Sequence, residues 1–127
     1  MKRIKKGIHF LFGRQEPVTD FFGMIERFAS LGFDCVELPP DPFLKNVEQL
    51  KELTAYADER DVEIVFSCGF PEAYDMASDD PAVRENGMRY MREILQVMEC
   101  ADIRLMGGTF YTKWPSYRTT SLSMEEK

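Results

Sequence analysis

Histidine occurs once in this chain, at His9, and cysteine three times, at Cys35, Cys68 and Cys100. That scarcity removes whole classes of chemistry. A structural zinc site needs clustered Cys and His at short spacings, and this sequence has none. Three thiols without a close pairing motif do not make a disulfide framework, so reduced cysteines in a cytoplasmic protein are expected. There is no Walker loop, no nucleophile elbow and no dinucleotide fingerprint, because Gly107-Gly108 lacks the necessary glycine spacing. Basic charge is also short: the formal net charge is −6, which argues against a nucleic-acid surface. No apolar run approaches the roughly 20 residues of a membrane span. Lys2, Arg3, Lys5 and Lys6 precede an apolar run too short for a signal peptide, with no small-residue cleavage site, and are read as flanking a buried strand.

What is present is a regular alternation. With 127 residues, 44% hydrophobic and 30% charged, the chain can bury one core, and residues 1–127 are read as a single domain. Strand-like and helix-like runs alternate, the pattern of an α/β fold with a parallel sheet of βαβ units. The first strand reads Ile4 to Phe12, with adjacent apolar residues Ile8, Phe10, Leu11 and Phe12 as in a strand covered on both faces. A helix follows from about Val18 to Leu31, its inner stripe Phe21, Phe22, Ile25, Phe28 and Ala29, with Gly32 as C-terminal cap.

Phe33 to Leu38 is the second strand, and Pro39, Pro40 and Pro42 force a loop after it. Asn46 caps a second helix whose inner residues are Leu50, Leu53, Thr54 and Ala57. Val62 to Ser67 is the third strand. Asp80 with Pro81 opens the longest helix, for which the spacing places Val83, Tyr90, Met91, Ile94, Leu95 and Met98 in the core and makes its methionines core filler. Ile103 to Met106 is the fourth strand, ended by Gly107-Gly108. Ser123-Met124-Glu125-Glu126 then has the capping-box pattern, so another helix is expected to begin just before Lys127, in a fold that continues beyond the fourth strand.

In a parallel α/β fold, ligands bind at the C-terminal ends of the strands. The polar and aromatic groups assigned to that edge are His9, Glu37, Ser67 and Thr109, with Tyr111, Lys113 and Trp114 in the last loop. Each has two readings at this stage. A strand histidine can be a structural residue or a pocket group. Glu37 can belong to an ion pair or face a solvated mouth. Trp114 can close a loop or stack on a sugar. Cys35 and Cys68 are read as inert core residues.

Several stretches together resemble a known family. Lys6-Gly7-Ile8, Leu31-Gly32-Phe33-Asp34 leading to Glu37, Asp80-Pro81-Ala82-Val83-Arg84, and Met106-Gly107-Gly108-Thr109 followed by Trp114-Pro115 are similar, in order and spacing, to the ketose 3-epimerases. These are the tagatose and psicose (allulose) 3-epimerases among the xylose-isomerase-like TIM barrels. The resemblance implies an eight-stranded barrel of about 250 residues, of which this chain would form about half, truncated after the fourth strand. It also implies a divalent ion, manganese, magnesium or cobalt, held by two glutamates, an aspartate and a histidine on later strands. Those two glutamates would exchange the C3 proton through an enediolate. No residue of this chain aligns with them, so neither catalytic residues nor a bound metal are expected here.

What the resemblance carries over is part of a sugar pocket. His9 stands where the family usually has tyrosine, Thr109 where a small residue contacts the sugar, and Trp114 where an aromatic wall packs on it. Gly108 permits close backbone approach, and Ser67 replaces a usual glycine; Gly13 falls where an aromatic is common. With Glu37, the expected substrate-binding set is His9, Glu37, Ser67, Gly108, Thr109 and Trp114. Placing His9 inward takes Gly7 and Leu11 with it and sends Ile8, Phe10 and Phe12 towards the helices.

The expected function is therefore the N-terminal part of a metal-dependent sugar epimerase or isomerase, inactive without its other half. A non-catalytic sugar-binding or interaction module is the alternative, and a flavodoxin-like phosphate binder is disfavoured by the lack of a phosphate loop. The partners expected are a small-molecule sugar and either a second copy of the chain or a complementary half-barrel, because open strand edges favour association. Nucleic acid and membrane are not among them.

Overall fold

Asp20, Asn46 and Asp80 start the three helices by turning a side-chain oxygen onto an orphan backbone N–H: Gly23 at 2.8 Å, Gln49 at 3.3 Å and Ala82 at 2.8 Å. The computed structural model describes residues 4–13 and 16–115. In chain order these form β1 (Gly7–His9), α1 (Phe21–Ser30), β2 (Cys35–Leu38), α2 (Val47–Asp58), β3 (Glu63–Phe70), α3 (Pro81–Cys100) and β4 (Met106–Lys113). Short 3-10 turns at Asp41–Phe43 and Glu72–Tyr74 follow β2 and β3. The expected capping box at Ser123 lies outside the described residues.

Gly32 closes α1 as expected. Its φ of +80° is open to glycine at little cost, and the Phe33 N–H reaches back to the Phe28 carbonyl at 3.1 Å. The accompanying apolar clasp is Phe28 against Phe33, rings 6.0 Å apart.

All strand pairs are parallel, in the order β1-β2-β3-β4. Among the described residues the outer edges of β1 and β4 have no strand partner, so the sheet is open. Register aligns Ile8, Val36 and Ile64 on one face and His9, Glu37 and Val65 on the other. The first face is buried under the helices. Val36, Leu38 and Phe66 meet Phe21, Ile25, Leu50, Leu53 and Ile94, with Phe43 stacked on Phe66 at 6.3 Å. The second face carries His9, Cys35, Glu37 and Ser67, all half-buried. One covered face and one open face is the geometry of a barrel wall.

Several boundaries differ from expectation. β1 is three residues, not nine: after His9 the chain turns, the Phe12 N–H bonding to the His9 carbonyl at 2.9 Å, and Ile4 and Phe12 are exposed. β1 is also not covered on both faces. Ile8 and Phe10 do pack towards the helices, but Phe12 does not. β2 begins at Cys35. β3 continues past Ser67 to Phe70, and β4 begins where it was expected to end, running through both glycines to Lys113. The reason is pairing: β3 and β4 hold each other straight across Ser67–Gly107 and Cys68–Gly108, overriding the turn preference of the glycines.

On α3, Tyr90, Ile94, Val97 and Met98 are buried, whereas Leu95 is 50% and Met88 44% exposed. Leu95 lies about 100° round the helix from Ile94, on the side away from Tyr90 and Val97. Among the described residues no helix is long and apolar enough to cross a membrane.

Gly87, in mid α3, has a packing reason. A Cβ there would lie 2.4 Å from the Tyr74 carbonyl oxygen and 2.7 Å from Met76 Cγ. Alanine favours a helix by about 1 kcal/mol over glycine, but collision with backbone costs more. Gly87→Ala is expected to lower stability by about 1–2 kcal/mol net, a drop of roughly 4–8 °C in Tm. A thermal melt at or above the wild-type value would refute this packing.

Candidate functional site

The C-terminal ends of the strands enclose a depression of about 310 Å³ lined by His9, Phe10, Leu11, Pro39, Asp41, Ser67, Cys68, Gly69, Gly108, Thr109 and Trp114. Five of the six residues expected to bind substrate, His9, Ser67, Gly108, Thr109 and Trp114, thus share one concavity. Glu37 does not line it. It sits one strand over from His9 in the same register row, half-buried, and its carbonyl accepts the Phe10 N–H at 3.0 Å. Leu11 and Phe10 both join His9 in the lining; β1 ends at His9, so the expected alternation of Leu11 inward and Phe10 outward does not hold across the turn. Tyr111 and Lys113, expected in the last loop, belong to β4 and line no part of it.

Each lining group is set by local structure. His9 ends β1, and its Nδ1 accepts the Leu11 N–H at 3.2 Å. That bond places the proton of the neutral ring on Nε2, leaving a donor for a ligand oxygen. Ser67 is within β3 and not at its mouth, opposite Gly107. Gly108 has φ of +128° and approaches the Cys68 backbone so closely that a Cβ would stand 1.8 Å from the Cys68 oxygen. Only glycine fits there.

At the far side Trp114 packs against Gly69, where a Cβ would meet Trp114 Cβ at 2.7 Å and Cγ at 2.9 Å. The Trp114 N–H donates to the Phe70 carbonyl at 2.6 Å.

Asp41 and Cys68 were not expected in the site. The Tyr90 hydroxyl donates to Asp41 Oδ1, and burial together with that carboxylate raises the Tyr90 pKa above its ordinary range. Burial pushes the Cys68 thiol up to about 11, so it is a neutral wall and not a nucleophile. Gly69 was legible in principle, being two residues beyond Ser67 on the same face of an extended strand. Asp41 and Pro39 carried no signal, since the proline cluster marked only a loop.

A larger depression of about 700 Å³ lies at the opposite, N-terminal strand edge, with Lys5, Asp58, Asp61, Glu63, Asp102 and Arg104 in its lining. Its charges are largely paired, Lys5 with Glu63 and Arg104 with Asp102 at 3.1 Å. In parallel α/β folds that edge serves stability, and the smaller depression is the candidate site.

His9 and Glu37 come into register on adjacent strands. Among the described residues, however, no three His, Cys, Asp or Glu side chains gather as a metal site would need. The donor set among the described residues does not fit a catalytic cation.

The chain is similar in sequence and fold to known proteins. The chain is 32% identical over 114 residues to a D-psicose 3-epimerase of Ruminiclostridium cellulolyticum, covering 88% of this chain and 39% of that protein. It is 30% identical over 116 residues to one from Enterocloster bolteae, covering 88% and 38%. The chain therefore spans about two fifths of the length of these curated relatives.

Among solved structures, a D-psicose 3-epimerase with D-tagatose from Clostridium cellulolyticum superposes with a TM-score of 0.85 at 28% identity, over 97% of this chain and 43% of that one. A D-psicose 3-epimerase in the presence of D-fructose shares the fold, with a TM-score of 0.84 at 23% identity over 97% of this chain and 43% of that one. The xylose isomerase-like TIM barrel family matches residues 25–122, and with four parallel strands in one sheet and helices on one face, this chain belongs to that family.

Proposed function

We propose that residues 1–127 form the N-terminal part of a metal-dependent ketose 3-epimerase, a single incomplete barrel domain that supplies one side of the sugar pocket. The observation that carries this reading is the convergence of His9, Ser67, Gly108, Thr109 and Trp114 on one depression at the C-terminal strand ends. The similarity to D-psicose 3-epimerases supports it.

In this reading the chain binds and orients. His9 Nε2–H and the hydroxyls of Ser67 and Thr109 meet sugar hydroxyls, and Gly108 lets the ligand approach the backbone. Trp114 packs its ring on the apolar C–H face of the sugar and excludes water from it. The cation and the carboxylates that exchange the C3 proton belong to strands beyond these four. Those strands would pair with the open edges of β1 and β4, supplied by a complementary half-barrel; a second copy could cover the edges but would bring no such carboxylates. Exposed Leu11, Phe12, Tyr111 and Trp114 would be covered in that assembly.

Half a pocket leaves half of a small polar ligand in water. Calorimetric injection of D-tagatose or D-fructose into the 127-residue chain without metal is expected to give no saturable heat at millimolar sugar. A dissociation constant below about 1 mM, or roughly −4 kcal/mol, would instead favour a non-catalytic sugar-binding module.

A further inference from the structure

Asp75 is the one buried charged residue among the described ones, 6% exposed, and it does not line the depression. It lies in the connection between the 3-10 turn at Glu72–Tyr74 and α3. A carboxylate out of water needs donors, and Asp75 has two from the backbone. Oδ1 accepts the Ala77 N–H at 2.9 Å, within its own turn, and the Lys113 N–H at 3.1 Å, from the end of β4.

The second bond reaches the site. Between Gly69 and Phe70 the β3–β4 register shifts: Gly69 pairs with Thr109, but Phe70 pairs with Lys113. Where the ladder is irregular, side-chain contacts fix the strand. The Lys113 amide is held by Asp75, and the Lys113 ammonium is paired with Glu72. The next residue is Trp114, whose own N–H bonds to Phe70 and whose side chain lies against Gly69.

We infer that Asp75 is a positioning residue: by holding the Lys113 amide it sets where the Trp114 ring stands as a wall of the depression. That the ring packs on a sugar rests on the proposed function; its placement does not.

Tryptophan occurs once in the chain, so fluorescence excited at the red edge, beyond tyrosine absorption, reports on Trp114 alone. Time-resolved anisotropy on the 127-residue chain is the test. In Asp75→Ala the amplitude of the sub-nanosecond component is expected to rise about twofold as the ring gains local freedom. Asp75→Asn keeps an acceptor oxygen and is expected to restore the wild-type decay. Glu72→Ala removes only the exposed ion pair and is expected to leave the decay unchanged.

An unchanged decay in folded Asp75→Ala overturns the inference, as does a Glu72→Ala decay matching that of Asp75→Ala. If Asp75→Ala does not fold, amide hydrogen exchange in the wild type decides. Protection of the Lys113 amide by about tenfold or more supports the inference, and exchange at the unprotected rate overturns it. These readouts need no sugar, so a failed ketose reading and a failed role for Asp75 give different results.

Discussion

Gly108→Ala is expected to destabilise the chain by about 3–5 kcal/mol, a large part of the 5–15 kcal/mol that separates a folded domain from its unfolded chain. Two effects add. The φ of +128° is a conformation that L side chains rarely adopt, costing on the order of 1–3 kcal/mol. The new methyl would also meet Cys68 backbone atoms, oxygen at 1.8 Å, carbon at 2.8 Å and nitrogen at 2.9 Å. Backbone cannot swing aside as a side chain can, so β4 must separate from β3 to relieve the contact.

Gly107 is the internal control. A Cβ there meets nothing within 4 Å, and Gly107→Ala is expected to be close to neutral. Urea denaturation distinguishes the two, with a midpoint lowered by at least about 1 M for Gly108→Ala and little change for Gly107→Ala. Equal midpoints would mean that β3 and β4 do not pair in this register.

The second large effect concerns catalysis. Under the proposed function, the 127-residue chain with added manganese is expected to leave D-psicose and D-fructose unconverted, while the chain extended to full barrel length is expected to interconvert them. Positioned acid–base groups alone contribute on the order of 10²–10⁴-fold, so the difference is far above assay background. The physical basis is the donor inventory: the groups lining the depression are one imidazole, two hydroxyls, a carboxylate engaged by Tyr90, and a thiol raised to about 11. None is a pair of carboxylates able to serve opposite faces of one carbon. Mixing the short chain with a separately produced complementary half should recover part of the activity if the open edges of β1 and β4 close in trans. Turnover by the short chain alone would overturn the assignment of the chemistry to later strands.

Most of the helical framework was legible in the residues because its signals are local. Asn46 and Asp80 cap where their side chains suggest, Gly32 closes α1 at positive φ, and Leu50, Leu53 and Ala57 bury at helical spacing. Strand ends were less legible, since a strand lasts only as long as its neighbour pairs with it. Ile4 and Phe12 look like strand residues and are exposed, while Gly107 and Gly108 look like a stop and lie inside β4.

The site divides in the same way. His9, Ser67, Thr109 and Trp114 could be named from the strand ends expected for them and from family resemblance, although Ser67 and Thr109 lie inside β3 and β4. Glu37 was named on the same grounds and stands outside the depression, although the register puts it in one row with His9.

The sequence by itself determined the alternation of elements and the helix caps, because propensity, capping and period depend on neighbours a few residues away. Only the tertiary structure decided how far β3 and β4 extend, that Leu95 faces outward, and that Asp75 holds the amide beside Trp114. Those facts depend on contacts between residues tens of positions apart, and such contacts exist only once the sheet has assembled.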